Sequence, residues 1–203
     1  MSVRVKICGV CTLEDARAAI AAGADFVGLN FHPASPRHVT PEAAREIAQA
    51  VPGTALVGVF VDAPRASVEE IAGRVGLSAL QFHGDEDADY CRGWGWRTIK
   101  AIRARPGADL AALAARYRTD YLLLDSFVAG QAGGTGVALD PARAAGLPAA
   151  RLFVAGGLRP DTVAEVVRAL RPFAVDVASG VEASPGRKDH AKVEEFIRRA
   201  KAA

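Results

Sequence analysis

Eight short apolar runs recur along this chain, each followed by a stretch with turn or helical signals, and that alternation limits the fold more than any other feature. The runs predict strands at Val3–Ile7, Phe26–Phe31, Ala55–Val61, Ala79–Phe82, Thr98–Ala101, Tyr121–Leu124, Leu152–Val154 and Ala174–Val177. Most are continuously apolar, as parallel strands covered on both faces require. Between them, Val163, Val166, Val167 and Leu170 follow helical spacing, as do Val193, Phe196, Ile197 and Ala200, with a shorter stripe at Val68, Ile71 and Val75. Such stripes are core packing. Helix starts are signalled at Thr12, with Asp15 three residues on, at Thr40-Pro41 and at Asp140-Pro141, while Arg159-Pro160-Asp161 has the proline without the usual cap. Gly146 is placed to stop a sixth helix.

Eight such units in 203 residues match a single compact α/β domain spanning 1–203, a (β/α)8 TIM barrel at the small end of its size range. The alternative is a doubly wound open sheet. Against it, the first strand runs into Cys8-Gly9-Val10-Cys11 rather than a glycine-rich dinucleotide loop. Half the residues are apolar, enough for a sizeable core. The net charge of +2 is small and its lysines and arginines are dispersed, so a nucleic-acid partner is not expected. Cysteines at 8, 11 and 91 form neither a metal-binding spacing nor a disulfide framework. Val3-Arg4-Val5-Lys6-Ile7, charged at alternate positions, reads as neither a signal nor a transit peptide, and no apolar run reaches membrane-spanning length. A cytoplasmic enzyme without a membrane partner is expected, working as a monomer or homodimer.

In such a barrel the active site lies at the carboxyl ends of the strands. The residues to inspect are therefore Cys8, Asn30 to His32, Asp62, His83, Lys100, Asp125, Ala155 to Gly157 and Ala178 to Gly180. The last two strands open into Gly156-Gly157 and Ser179-Gly180, where backbone amides can approach an anion closely. Glycine-bearing strand ends also serve as tight turns, but two of them, after strands seven and eight, favour a phosphate site. Gly133-Gly134-Thr135-Gly136 after strand six is either a lid or ligand rim, with Gly134 within it, or a plain loop. Cys8 and Asp125 end strands one and six, where thiolate and carboxyl can act as base and acid. A buried packing thiol and a loop cap are the competing readings. Arg37 follows two prolines that stiffen its loop, suiting a guanidinium aimed at a carboxylate or phosphate, or a solvated arginine. His32, His38 and His190 read as surface or loop residues, Cys11 and Cys91 as packing thiols, and Trp94 and Trp96 as packing around a short connection. The orientations of Lys6, Asp25 and Asp176 are left open.

The same segments, in order, resemble the phosphoribosylanthranilate isomerase family. The match runs through Lys6-Ile7-Cys8-Gly9, Asn30-Phe31-His32-Pro33, Ser35-Pro36-Arg37, Leu80-Gln81-Phe82-His83-Gly84-Asp85-Glu86, Leu123-Leu124-Asp125, Gly133-Gly134-Thr135-Gly136, Ala155-Gly156-Gly157-Leu158 and Val175-Asp176-Val177-Ala178-Ser179-Gly180-Val181-Glu182. The resemblance implies a ribulose-phosphate-binding barrel that catalyses a cofactor-free, metal-free Amadori rearrangement. It implies Cys8 as general base, Asp125 as general acid, Arg37 as partner of a carboxylate, and the backbone around Gly156, Gly157, Ser179 and Gly180 as phosphate cradle. His83 and Asp176 then neighbour the reacting sugar. The chain departs from the family pattern at Val137 to Pro141, at Arg159, and at His32 and His38, where the family often has tyrosines. A metal-dependent pentose-phosphate epimerase using His32, Asp62, His83, Asp125 and Asp176, and a non-catalytic phosphosugar binder, are the rival readings.

Overall fold

The computed structural model describes residues 2–126, 141–144 and 146–203. Eight parallel strands close into a barrel, in which every strand pairs with its sequence neighbours and β1 closes on β8. They are β1 (Arg4–Cys8), β2 (Phe26–Asn30), β3 (Ala55–Phe60), β4 (Ala79–Phe82), β5 (Arg97–Ala104), β6 (Tyr121–Ser126), β7 (Leu152–Val154) and β8 (Ala174–Val177). Three match the predicted limits. β5 and β6 run further, carrying Arg103 and Asp125 within the ladder, where they face each other in register.

Strand alternation sorts the apolar residues into two separate clusters. Val5, Ile7, Leu80, Phe82, Leu122, Leu124, Val175 and Val177 join the shell between sheet and helices. Val57, Ala79, Ile99, Ala101, Leu123, Phe153, Ala155 and Ala174 fill the barrel interior. A step of two along a strand keeps a side chain on one face. Gln81 therefore shares the interior with Ala79, Asp125 with Leu123, and Asp176 with Ala174. Lys100 shares the outer face with Thr98 and Ile102. There its ammonium is buried against Glu86 Oε2 at 2.6 Å and Gly84 O at 2.8 Å, so this strand-end lysine is structural.

The expected helices form after most strands: α1 (Leu13–Ala21), α2 (Pro41–Ala50), α3 (Arg65–Val75), α4 (Leu110–Arg116), α5 (Val163–Leu170) and α6 (His190–Lys201). Thr12 Oγ1 accepts from Asp15 N at 3.1 Å and Thr40 Oγ1 from Ala43 N at 3.3 Å, the two caps read from sequence. Helix α5 starts three residues after Pro160, with no side-chain cap.

Two connections depart from the expected helical pattern. Residues 83–96, between β4 and β5, form turns only. Here Trp94 packs on Phe82 and Tyr90 at centroid distances of 5.1 and 5.4 Å, with the Arg65 guanidinium 4.0 Å above its ring. These large side chains cover the sheet where a helix would lie. The predicted sixth helix is a four-residue 3-10 turn, Pro141–Ala144, followed by Gly146 at φ +83°. Its proposed cap, Asp140, lies outside the described residues. A two-stranded ribbon, β9 (Glu182–Ser184) with β10 (Arg187–Lys188), was not foreseen. Among the described residues, no helix is long and apolar enough to cross a membrane.

Candidate active site

The carboxyl ends of the strands surround a cavity of about 270 Å³. Cys8, Arg37, His83, Asp125, Gly156, Gly157, Asp176, Ser179 and Gly180 all line it. Nine of the ten residues singled out from sequence thus meet in one place. Gly134, the tenth, lies outside the described residues with the rest of the Gly133–Gly136 loop. A larger depression of about 480 Å³ sits between α4 and the segment before β7, lined by Ala111, Ala114, Ala115 and Leu147 among others. It carries no converging acid, base or nucleophile.

The cavity is organised around the ring of strands. Asp125 comes from β6, the Gly156 and Gly157 loop follows β7, Ser179 and Gly180 follow β8, and Cys8 ends β1. The two glycine loops therefore lie between the carboxyl and the thiol. Gly156 and Gly157 have φ of +86° and +63°, in the left-handed region that glycine adopts without strain. At Gly180 the constraint is space: an added Cβ would lie 1.9 Å from Leu158 O, so a side chain here would push the two loops apart.

On the thiol side, Lys6 is completely buried and donates to Asp176 Oδ1 at 2.9 Å. Register pairs Lys6 with Asp176 across β1 and β8. A Cβ on Gly28 would lie 2.8 Å from Cys8 Sγ and 3.0 Å from Lys6 Nζ, so thiol and ammonium converge over that glycine. Burial opposes the charge on Lys6, but Asp176 and Cys8 outweigh it and hold the ammonium above the ordinary lysine value. For Cys8, burial is the largest influence and pushes the thiol up, while Lys6 and Lys188 act in the opposite direction without cancelling it. Lys6 places positive charge beside Cys8, which favours a thiolate, while Asp176 opposes it.

Arg37 is held from one side. Its Nε and Nη2 donate to Glu182 Oε1 and Oε2 at 2.8 and 2.7 Å, a bidentate pair. Lys188 Nζ donates to the same Glu182 Oε1 at 3.0 Å and to Ala178 O at 3.1 Å. Burial alone would raise the Glu182 carboxyl, but Arg37 and Lys188 bring it below the usual range. The prolines before Arg37 shape its loop, yet its aim is set by the unforeseen β9–β10 ribbon. Gly9, at φ +67°, is required beneath it, since a Cβ there would lie 2.4 Å from Arg37 Cδ.

On the carboxyl side, Asp125 is buried and its Oδ2 lies 3.2 Å from His83 Nε2. Arg103, inward-facing at the end of β5, also lines the cavity and donates to His83 O at 3.0 Å. Asp62 caps the neighbouring loop after β4 instead, accepting from Asp85 N at 2.7 Å. Among the described residues, no group of three or more His, Cys, Asp or Glu is gathered to hold a metal, so the ligand set of the epimerase reading is not assembled there. His190 is bound to Asp15 at 2.8 Å, and Cys91 is buried, in keeping with their structural readings.

Lys6, Gln81, Arg103, Glu182 and Lys188 were missed as site residues, and His32, read as a surface or loop residue, lines the cavity. Lys6 had a readable signal, since it stands two before Cys8 on one strand and must share its face. Glu182 and Lys188 had no signal in strand or helix periodicity, although Glu182 stands in a segment that carries the family resemblance.

The comparisons with known proteins agree with this geometry. Residues 5–199 match the family model described as N-(5'-phosphoribosyl)anthranilate (PRA) isomerase. The chain is 49% identical over 201 residues to the N-(5'-phosphoribosyl)anthranilate isomerase of Geobacter sulfurreducens, covering 98% of each. Among solved structures, phosphoribosyl anthranilate isomerase from Thermotoga maritima superposes with a TM-score of 0.91 at 38% identity, covering 99% of this chain and all of that one. A second, solved in complex with reduced 1-(o-carboxyphenylamino)-1-deoxyribulose 5-phosphate, gives a TM-score of 0.87 at 38% identity, with coverage of 99% of this chain and 100% of that one. The chain belongs to the N-(5'-phosphoribosyl)anthranilate isomerase family.

Proposed function

We propose that this chain catalyses the Amadori rearrangement of N-(5'-phosphoribosyl)anthranilate to 1-(o-carboxyphenylamino)-1-deoxyribulose 5-phosphate, a step of L-tryptophan biosynthesis in the cytoplasm, with Asp125 as general acid and Cys8 as general base. The observation that carries the reading is the order around the barrel: carboxyl, two glycine loops, thiol, then Arg37 beyond β1. A sugar phosphate anchored at Gly156, Gly157, Ser179 and Gly180 lies between an acid on one side and a base on the other. Its aromatic carboxylate reaches toward Arg37, which Glu182 engages only through Nε and Nη2 among the described residues.

In this reading Asp125 protonates the furanose ring oxygen. The bond from that oxygen to C1 breaks, its electron pair goes to oxygen, and the substrate nitrogen forms a protonated Schiff base. Cys8, as thiolate, then removes the proton on C2. The C2–H electron pair forms the C1–C2 double bond, and the iminium electrons return to nitrogen. The enolamine becomes the ketone when C1 gains a proton and the 2-hydroxyl loses one, so the substrate's atoms and electrons are conserved. The substrate nitrogen is the electron sink. Lys6 offsets the thiolate charge, and the phosphate and carboxylate anchors hold C2 within reach, which is acceleration by positioning.

The test is turnover of phosphoribosylanthranilate generated in place, followed through loss of its anthranilate fluorescence, with product identified by mass and chromatography. Loss well above spontaneous hydrolysis, yielding the ribulose phosphate product, is expected. No loss above hydrolysis from folded protein sinks the reading.

A further inference from the structure

Gln81 is almost fully buried, 1% exposed, and projects into the barrel interior below His83. Its Nε2 lies 2.9 Å from His83 Nδ1, and His83 Nε2 lies 3.2 Å from Asp125 Oδ2. The three side chains form one hydrogen-bonded chain from the interior to the mouth of the barrel. The direction of that chain follows from its first link. With the amide nitrogen turned toward the ring, as the structure places it, Nδ1 accepts and carries no proton. A neutral imidazole then bears its single proton on Nε2, where it points at Asp125. A doubly protonated ring would set N–H against N–H at Nδ1.

The other half of the amide is unmet. Gln81 Oε1 is buried without a hydrogen-bond partner among the described residues. Leaving a buried acceptor unpaired is unfavourable, and an apolar side chain of the same length would avoid it. The donated bond to His83 is what the glutamine contributes here. The backbone of His83 is fixed separately, by Arg103 Nη2 on its carbonyl at 3.0 Å.

We propose that Gln81 is a positioning residue for the acid step: it fixes the Nε2–H tautomer of His83, which occupies Oδ2 of Asp125 and leaves Oδ1 to carry the proton delivered to the sugar. This rests on the reading of Asp125 as general acid. When Asp125 gives up its proton, that proton goes from Oδ1 to the ring oxygen and His83 keeps its own. The Nε2–H bond then changes from a neutral carboxyl acceptor to a carboxylate acceptor and strengthens. It favours the transition state over the ground state, so it acts on kcat rather than on substrate binding.

The tautomer is read directly by long-range proton–nitrogen correlation NMR of 15N-histidine-labelled protein, with the His83 signals identified through His83→Asn. The wild-type protein at neutral pH is expected to show one proton on Nε2 and a bare Nδ1. A proton on Nδ1, or on both nitrogens, overturns the inference and needs no variant to do so. Gln81→Met, checked for a wild-type fold by circular dichroism, is expected to mix the tautomers and lower kcat about tenfold, the loss of one charge-assisted bond, with KM within about twofold. Gln81→Glu, whose carboxylate draws the ring proton to Nδ1, is expected to lower kcat further. Unchanged kcat in both variants overturns the inference. Asp125→Asn with near-normal turnover instead removes the acid role, and the wild-type NMR result separates that failure from this one.

Discussion

At the amino-terminal end of the barrel, Phe26, Tyr121, Phe153 and Phe173 fill the interior with rings 4.6 to 6.3 Å apart. Further toward the carboxyl ends of the strands, the inward face carries different chemistry. Ala79 gives way to Gln81, Leu123 to Asp125 and Ala174 to Asp176, joined by Lys6 and Cys8 from β1. The floor is held by dispersion and by removing aromatic area from water, which needs no partner geometry. The mouth keeps charges in a dry place, which is unfavourable unless each is paired. Lys6 with Asp176, and Arg37 and Lys188 with Glu182, meet that requirement. The difference teaches that one closed sheet separates stability from chemistry by position along the strand alone, without a second domain.

This comparison breaks if floor and mouth respond alike to substitution. Lys6→Met should have the largest combined effect. It leaves Asp176 buried without its partner, a loss of about 3–5 kcal/mol, and removes the cation beside Cys8. Denaturant unfolding and steady-state kinetics should both move, and a variant as stable and active as wild type would contradict the pairing. Phe153→Ala should cost a similar about 3–5 kcal/mol in unfolding free energy. Here kcat of the folded fraction should stay within about twofold, since Phe153 does not line the cavity. A large fall in kcat would mean that floor and mouth are mechanically coupled.

Smaller effects sharpen the picture of the mouth. Glu182→Gln removes the charged half of the bidentate pair on Arg37, so KM should rise about tenfold with kcat little changed. A fall in kcat with unchanged KM would place Arg37 in the chemical step instead. The smallest effect is in pH. Burial raises the Cys8 thiol above its ordinary value despite Lys6 and Lys188, and the base acts only when deprotonated. The sign follows for the thiol itself: alkylation of Cys8 by iodoacetamide, followed by mass spectrometry, should quicken steadily from about pH 7 to about pH 9 and beyond. A plateau already reached at neutrality would show that the lysines outweigh burial.

The barrel was legible because its strands are apolar runs and its first helices carry Thr12 and Thr40 as caps. Where other forces decide, the pattern failed. Tyr90 and Trp94 cover β4 in place of a helix, and the segment before β7 closes with a 3-10 turn. In the site, strand-end position pointed to Cys8, Asp125, His83 and the glycine loops, but equally to Lys100 and Asp62, whose bonds are structural. The orientation of Asp176 became clear only with its partner Lys6, because the parity of one strand says nothing about which neighbour closes the barrel beside it. Glu182 and Lys188 were hidden for a different reason. They act through a short ribbon whose place beside Arg37 is a long-range contact, which local periodicity does not encode.

The measurement closest to the central claim is turnover of Cys8→Ala and Asp125→Ala, each compared with wild type at matched folded concentration verified by thermal melting. The assignment of base and acid predicts that each variant melts like wild type and loses on the order of 10²- to 10⁴-fold in kcat. Near-normal kcat in either folded variant would contradict that residue's role and move the chemistry to another group in the same cavity.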